Sequence, residues 1–279
     1  MIAFDFDYYR PATLDDAVDA FLQAESKGGD ALYYAGGSEI ISMSRVGSIE
    51  TSAVIDIKNI PECSDLIIDK KHLNIGSVCT LYQISESNLF PLMKLSCGRI
   101  ADHTNQCRIT LGGNLCGSII YRETSLPLLL SDAHITLYGK DGKRKVPFDS
   151  VFNGRMQLSS TEMIVKIHIP IWALSAPYFH IKKTANEKID YPLISIAAII
   201  KGDYIRIAFS GVCSFPFRSK KIEKVLNDRS NSIKNRARRA ISLLPDEVHS
   251  DGESSGEYRL FVLENTLLEI LKRWENGRI

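Results

Sequence analysis

Hydrophobic and polar residues alternate with two different periods along the first part of the chain. Residues 4–8 alternate apolar and acidic side chains, as an edge strand does. Thr13 has the position of an N-cap, and apolar residues at helical spacing after it predict a helix that ends at Gly28-Gly29. The other predicted elements of this small β-α-β-β unit are strands at 31–35 and 53–57 and a brief helix at 39–43.

The middle of the chain has the pattern of paired strands interrupted by short helices. Hairpins are predicted at 66–76 and 133–146. Residues 126–130 are apolar on all sides, which predicts a buried helix. The other predicted elements are a short helix capped by Thr80, a helix at 89–100 and a strand at 162–169, with Pro170 as a boundary.

The pattern changes after Pro170. Three strands are predicted at 178–183, 194–200 and 204–210. Three amphipathic helices follow at 219–226, 233–244 and 256–274. Strands followed by a run of helices are typical of a separate α+β domain.

Composition narrows the class of protein. The 279 residues are 44% hydrophobic and 24% charged, as in soluble globular chains of two or three domains. A net charge of +1 provides no field to attract nucleic acid or an anionic membrane, and the basic stretch 234–239 is interpreted as the solvated face of a helix. The N-terminus is acidic where a signal peptide would be apolar, and no apolar run is long enough to span a bilayer. We therefore expect a cytoplasmic protein.

Neither the cysteines nor the histidines follow a metal-binding pattern. The six cysteines contain no Cys-x-x-Cys pair, so we expect reduced, mostly buried thiols and no metal site. The six histidines also lack metal-type spacing. His134 and His168 fall in predicted strands and are interpreted as structural residues, whereas His103 is expected to be exposed in a loop.

Two short glycine turns carry the candidate chemistry. They are Ala35-Gly36-Gly37-Ser38-Glu39-Ile40 and Thr110-Leu111-Gly112-Gly113-Asn114. Adjacent glycines allow main-chain N–H groups to converge on one point, which suits an anion such as a phosphate oxygen. Two such turns in one domain would grip both halves of a pyrophosphate. Taken singly, each turn also fits an ordinary loop.

The order of several motifs resembles that of a known family over nearly the whole chain. The motifs are Ala35-Gly36-Gly37-Ser38-Glu39, Asp56-Ile57, Ile75-Gly76-Ser77 with Thr80, Thr110-Leu111-Gly112-Gly113-Asn114, Pro127-Leu128-Leu129-Leu130, Arg144-Lys145-Val146-Pro147, Phe152, Glu162, Ile169-Pro170 and Gly256-Glu257-Tyr258-Arg259. In this order they resemble the FAD-binding (medium) subunit of molybdenum hydroxylases, the family of xanthine dehydrogenase and carbon monoxide dehydrogenase. Residues 119–123 are more similar to bacterial purine-oxidising members.

The resemblance implies a fold in the α+β class. It implies an FAD-binding domain with two subdomains, at 1–58 and 59–170, of the PCMH or vanillyl-alcohol-oxidase type. A C-terminal α+β domain would follow at 171–279, with a three-stranded antiparallel sheet and helices, like the C-terminal domain of carbon monoxide dehydrogenase flavoproteins.

The resemblance also implies that the two turns hold the flavin diphosphate from opposite sides. The implied residues of the first segment are Tyr33, Tyr34, Ala35, Gly36, Gly37, Ser38, Glu39 and Ile40. Those of the second segment are Thr110, Leu111, Gly112, Gly113 and Asn114. No catalytic acid or base is expected, because the isoalloxazine ring performs the redox chemistry itself.

Three further residues are implied outside the turns. Glu123 stands where many relatives have an aspartate that binds the cofactor ribose. Ile164 would pack against the ring system, and Lys182 would place a cation near the flavin. Each of these residues also has a simpler interpretation. Glu123 would be a surface glutamate paired with Arg122, Ile164 would be an ordinary core residue, and Lys182 would be a solvent-facing lysine like Lys183.

The implied function is electron transfer in an enzyme of the xanthine dehydrogenase type. Electrons from a purine or related heterocycle would pass from molybdopterin on a large partner, through two [2Fe–2S] clusters on a second partner, to FAD here and on to NAD. The implied assembly is a dimer of heterotrimers.

The loop at 106–110 is shorter than in most relatives, which bears on docking of the iron–sulfur partner. A stand-alone flavin oxidoreductase and a non-catalytic scaffold that has lost FAD are the open alternatives.

Overall fold

The computed structural model describes residues 4–187 and 189–277. Within them the chain forms two compact units that alternate along the sequence. The first unit comprises residues 4–87, 102–117 and 133–170. The second comprises 88–101, 118–132 and, apart from residue 188, 171–277. The division into three consecutive domains stays a prediction.

Helices and strands are mixed along both units. The described residues form twelve strands: β1 (Asp7–Tyr9), β2 (Ala31–Tyr34), β3 (Ala53–Asp56), β4 (Leu66–Ile68), β5 (His72–Gly76), β6 (His134–Gly139), β7 (Gly142–Pro147), β8 (Met163–Pro170), β9 (Tyr178–Thr184), β10 (Pro192–Lys201), β11 (Tyr204–Ser210) and β12 (Phe217–Arg218). The same residues form twelve α-helices: α1 (Leu14–Ser26), α2 (Ser38–Arg45), α3 (Leu81–Ser87), α4 (Pro91–Cys97), α5 (His103–Gln106), α6 (Leu111–Cys116), α7 (Ser125–Leu130), α8 (Phe148–Val151), α9 (Ile171–Leu174), α10 (Lys220–Leu226), α11 (Ile233–Ile241) and α12 (Gly256–Glu275). The predicted α+β class is confirmed.

The N-terminal elements of the first unit follow the predicted pattern closely. The hydroxyl of Thr13 accepts a hydrogen bond from the Asp16 N–H at 3.1 Å, which confirms the predicted N-cap of α1. β1, β3 and β2 form a parallel sheet in that order, and α1 packs against β2 and β3. The first strand begins later than predicted, at Asp7, because its pairing with β3 starts there.

The rest of the first unit is a five-stranded antiparallel sheet with the order β4-β5-β8-β6-β7. Both predicted hairpins are present, β4 with β5 and β6 with β7, and β8 joins them as the central strand. Met163 and Val165 on β8 are buried in the same hydrophobic core as α1 and β3. The apolar residues of β8 therefore connect this sheet to the N-terminal elements.

The polar face of this sheet holds a buried histidine. The ring of His168 lies 2.6 Å from the side-chain oxygen of Asn74 at Nδ1 and 2.7 Å from the hydroxyl of Thr136 at Nε2. Burial, reinforced by the charge of Lys145, lowers the pKa of His168 to about 4. His168 is thus neutral and hydrogen-bonded, as the structural interpretation requires.

We expect the first unit to lose stability as the pH falls from 6.5 toward 4. The unfolded chain protonates His168 near pH 6.5 but the native chain only near pH 4, so the unfolded state binds more protons between these values. The loss amounts to at most about 3 kcal/mol. Amide hydrogen exchange of β5 and β8, corrected for intrinsic rates, measures it at pH 7 and pH 5. His168→Gln should reduce the loss and the exposed His103→Gln should not; equal losses in both variants contradict this account.

The second unit is built on an antiparallel sheet with the order β12-β11-β10-β9. β9, β10 and β11 confirm the three predicted strands, and β12 adds a fourth. β12 pairs with β11 through two residues, and the ring of Phe217 stacks on Phe209 with centroids 5.1 Å apart. So short a strand carries no alternation in the sequence, which is why a three-stranded sheet was the expectation.

Helices contact this sheet along most of its length. α10 and α12 contact β11 and β10, and α4 and α7 contact β9, β10 and β11, so β10 is buried along almost its whole length. The predicted buried helix at 126–130 is confirmed as α7, in which every residue is buried. The helix predicted at 89–100 is shorter, because α4 begins at Pro91 and ends before Gly98.

The basic stretch of α11 is only partly a solvated face. Arg236 is 1% exposed, and its guanidinium donates to the carbonyl of Leu226 at 2.8 Å and to the carboxylate of Glu275. The interpretation of 234–239 as a solvated face is therefore wrong at Arg236. Acceptors from α12 and from the end of α10 satisfy this buried charge, which the sequence of α11 alone does not reveal.

Left-handed backbone marks three of the places where the chain passes between the units. Asn88, Ala101 and Asp132 have φ values of 55°, 54° and 55°. Residues other than glycine adopt this conformation uncommonly, since it costs of order 1 kcal/mol or more. Asn and Asp tolerate this conformation better than other residues with a side chain, so the strain is greatest at Ala101. The other two crossings follow Gly117 and Pro170, and Pro170 is the boundary that the sequence predicts.

The structure bears on two expectations drawn from composition, the burial of the cysteines and the lack of a membrane-spanning helix. All six cysteines are free thiols; four are buried, and Cys107 and Cys116 are exposed. The expectation of mostly buried thiols is thus confirmed. No helix in residues 4–187 and 189–277 has the length and apolar character needed to cross a bilayer.

Candidate functional site

The first glycine turn forms the N-terminal end of a helix. β2 ends at Tyr34, α2 begins at Ser38, and Gly37 has a φ of 69°, a left-handed conformation that favours glycine. A helix provides no acceptor for its own first N–H groups, and Gly37 provides no side-chain cap for those of α2. These groups and the helix dipole concentrate positive charge at one point, which suits an anion.

The second segment is a short helix and not an open glycine turn. Thr110 is the N-cap of α6, and its hydroxyl accepts the N–H of Gly113 at 3.2 Å. The N–H groups of Leu111 and Gly112 donate to carbonyls in the segment 77–79 at 2.9 and 2.8 Å. The prediction of a second open nest of amides is therefore wrong, because the fold of this segment already uses its N–H groups.

The two segments lie against each other within the first unit. A Cβ built on Gly36 would lie 2.0 Å from the carbonyl oxygen of Arg108 and 3.3 Å from the nitrogen of Thr110. Glycine is required at position 36, because 2.0 Å is far inside van der Waals contact. Segments distant in the sequence thus meet at one place, as a ligand held by both would require.

The two tyrosines before the first turn have different surroundings. Tyr33 stacks on Phe21 with centroids 4.9 Å apart, and its hydroxyl donates to the carbonyl of Thr161 at 2.9 Å. Its side chain is therefore committed to internal packing. Tyr34 lies against the turn itself, since a Cβ on Gly37 would be 2.3 Å from its ring.

The other residues predicted for the two segments differ in accessibility. Partly or fully exposed residues are Ala35, Ser38, Glu39, Ile40, Gly113 and Asn114. Leu111 is fully buried, so it anchors α6 and presents no surface. Ile164 on β8 is 4% exposed, which fits an ordinary core residue and a residue that packs against the ring system equally well.

Glu123 and Lys182, both in the second unit, form a buried ion pair. The Lys182 ammonium lies 2.8 Å from Glu123 Oε2 and donates to the carbonyl of Arg99 at 2.7 Å. The two side chains are 4% and 1% exposed, so the alternatives of a surface glutamate and a solvent-facing lysine are wrong; Lys183 is the exposed neighbour. Glu123 Oε1 is buried and accepts no hydrogen bond from the described residues. It is therefore available to a ligand hydroxyl.

Sequence reasoning missed a third member of this group, His180. It precedes Lys182 by two positions on β9, so both side chains lie on the same face of the strand. Burial, reinforced by the charges of Arg99 and Lys182, lowers the pKa of His180 to about 3. Its Nε2 has no hydrogen-bond partner in the part of the chain that the structure describes. The alternation of side chains along the predicted strand, which places His180 on the same face as Lys182, is the signal that could have indicated it.

Lys58 was also missed. It follows β3 and donates from its ammonium to the carbonyl of Ala35, directly before Gly36, at 3.0 Å. This contact joins residues that are 23 positions apart, so no local pattern indicates it.

Comparisons with known proteins identify the family of the chain. Residues 4–172 match a family described as the FAD binding domain in molybdopterin dehydrogenase. The chain is 26% identical over 269 residues to the caffeine dehydrogenase subunit beta of Pseudomonas sp. (strain CBB1), covering 87% of each chain. It is also 26% identical over 229 residues to the carbon monoxide dehydrogenase medium chain of Hydrogenophaga pseudoflava, covering 78% of each. A solved structure of carbon monoxide dehydrogenase from that organism has a TM-score of 0.85 at 23% identity over 96% of both chains, which shows a shared fold.

The fold and these matches define an oxidoreductase subunit of the molybdenum hydroxylase class. The chain belongs to the family of FAD-binding domains of molybdopterin dehydrogenases. The family inferred from the order of the motifs is confirmed.

Each unit, taken by itself, has a group that suits part of FAD. In the first unit, the N-terminal turn of α2, which begins beyond Gly37, suits the negative charge of a diphosphate. The unpaired Oε1 of Glu123 suits a hydroxyl donor such as a ribose. α6 fits less fully than predicted, because its first N–H groups are used within the fold.

Proposed function

We propose that this chain is the FAD-carrying electron-transfer subunit of a multi-subunit molybdenum hydroxylase. The observation that carries the proposal is the close approach of Gly36 to the segment before α6, which joins both predicted diphosphate-binding segments in one unit. Bound FAD supplies the hydride and electron chemistry, and the chain supplies binding and orientation.

Each candidate residue has a defined part in this proposal. The N–H groups at the start of α2 and the hydroxyl of Ser38 bind the diphosphate, with Thr110 and Asn114 as side-chain contacts. Glu123 accepts a ribose hydroxyl. Lys182 orients Glu123 and adds little free charge near the flavin, because the carboxylate neutralises its ammonium.

The proposed partners follow from the family. A two-cluster [2Fe–2S] subunit delivers electrons, a large molybdopterin subunit oxidises the substrate, and NAD accepts the electrons from FAD. The assembly would be a dimer of heterotrimers. We propose a purine or related heterocycle as substrate, which the likeness to a caffeine dehydrogenase subunit supports because caffeine is a purine. The substrate pocket would be on the molybdopterin partner, so substrate specificity would be set there.

One observation favours a scaffold that has lost FAD. Gly36, Gly37 and Gly112 each have a packing or backbone reason to be glycine, since a Cβ at Gly112 would lie 2.9 Å from the Cβ of Ser77. The glycines would therefore persist without a cofactor. A chain that shows no saturable FAD binding would support this second reading.

Isolation of the native complex tests the proposed function. The complex purified through a tag on this chain should contain the iron–sulfur and molybdopterin partners and about one FAD per copy of this chain. Substrate should bleach the flavin absorbance in the complex but not in the isolated chain. A complex without flavin absorbance, or an isolated chain that oxidises substrate by itself, contradicts the proposal.

A further inference from the structure

A lysine behind the first turn connects three parts of the first unit. Lys58 lies in a short 3-10 turn, Ile57–Asn59, that Asp56 caps by accepting the Lys58 N–H at 3.0 Å. The Lys58 ammonium donates to the other oxygen of Asp56 at 2.8 Å and to the carbonyl of Ala35 at 3.0 Å. It therefore holds the residue that immediately precedes the glycines of the first turn.

The same ammonium also lies over an aromatic ring that supports the turn. The Lys58 nitrogen is 4.4 Å from the centroid of the Tyr34 ring. A Cβ on Gly37 would be 2.3 Å from that ring. Lys58, Tyr34 and Gly37 thus form a continuous contact, and a cation over a tyrosine face stabilises this arrangement.

The charge of Asp56 makes Lys58 necessary. The Asp56 side chain is 4% exposed and also accepts the hydroxyl of Tyr8 at 2.6 Å. Although burial opposes its ionisation, the hydrogen bonds from Lys58 and Tyr8 hold the pKa of the Asp56 carboxyl below its ordinary value. Without Lys58, an uncompensated carboxylate would remain close to the turn and would repel a diphosphate.

We propose that Lys58 is a positioning residue for the diphosphate-binding turn. It fixes the Ala35 carbonyl and the Tyr34 ring, and it compensates the charge of Asp56, so that this carboxylate does not compete with an anion at the start of α2. This role rests on the proposed function.

Titration of the full chain with FAD, followed by flavin fluorescence, tests the role. Lys58→Met should weaken FAD binding by about tenfold or more, because it removes a charge-assisted contact and exposes the Asp56 charge. Lys58→Arg keeps a cation beside the ring and the carboxylate and should retain most of the affinity. The matched control is Lys70→Met, which removes an exposed lysine of the same unit and should change affinity less than about twofold.

Two further variants separate positioning from general loss of structure. Asp56→Asn keeps Lys58 and should bind FAD at least as tightly as the wild type. Lys58→Met combined with Asp56→Asn should recover much of the affinity lost in Lys58→Met, which a purely structural role would not produce. Wild-type affinity in Lys58→Met, equal losses in Lys58→Met and Lys70→Met, or a large loss in Asp56→Asn overturns the role of Lys58 alone. Absence of saturable FAD binding by the wild type overturns this role and the proposed function together.

Discussion

Gly36→Ala should weaken FAD binding by about 10- to 100-fold, because accommodating a misfitted Cβ typically costs 1–3 kcal/mol. The new Cβ would lie 2.0 Å from the Arg108 carbonyl oxygen. That atom belongs to the main chain, so no side chain can rotate away, and the turn must separate from the segment that leads into α6. The diphosphate would then lose its contacts with one of the two segments.

The control for this variant is Gly252→Ala. Gly252 has open space around its Cα and no left-handed backbone, so the same substitution should leave FAD affinity unchanged. Flavin fluorescence titration of both variants gives the comparison. Wild-type affinity in Gly36→Ala would show that contact between the two segments is not needed for binding.

Lys182→Met should lower the free energy of unfolding of the second unit by about 3–5 kcal/mol, the usual cost of breaking a buried ion pair. Removal of the ammonium leaves the Glu123 carboxylate buried without a counter-charge and removes the donor to the Arg99 carbonyl. The adjacent Lys183 is exposed, so Lys183→Met should change stability by less than about 0.5 kcal/mol.

Urea unfolding followed by tryptophan fluorescence measures this loss selectively. The chain has two tryptophans, Trp172 and Trp274, and both belong to the second unit. Addition of Glu123→Gln to Lys182→Met should restore part of the stability, because the uncompensated charge is gone. Equal stability of Lys182→Met and Lys183→Met would mean that the buried pair is not formed.

Local patterns predicted most of the helices and strands. The N-cap at Thr13, the fully buried helix α7 and both hairpins of the first unit follow from residues that are close in the sequence. Thr80 is a similar case, since its N–H donates to the side chain of Gln83 and its hydroxyl accepts the Gln83 N–H at the start of α3.

Features that depend on distant contacts were not predicted. The alternation of two units along the chain was not predicted, although one of its five crossings follows Pro170, which the sequence predicts as a boundary. The helical form of α6 depends on carbonyls in the segment 77–79 that accept its first N–H groups. The burial of Arg236 depends on acceptors contributed by other helices.

The candidate site was predicted in part. The order and type of the motifs predict two diphosphate-binding segments, a role that stays a prediction, and the structure brings Gly36 and Thr110 together. The sequence could not show that Glu123 pairs with Lys182, which lies 59 positions away, or that Lys58 reaches the Ala35 carbonyl. Such pairs are set by tertiary packing, and surface and buried charges look the same in a sequence.

The most direct test of the central claim is equilibrium titration of the full chain with FAD, ADP and riboflavin. If the start of α2 and the neighbouring α6 hold a diphosphate, one FAD should bind per chain, ADP should compete with it, and riboflavin should bind at least about 100-fold more weakly. Riboflavin binding as tight as that of FAD, or no saturable binding of FAD, would contradict the claim.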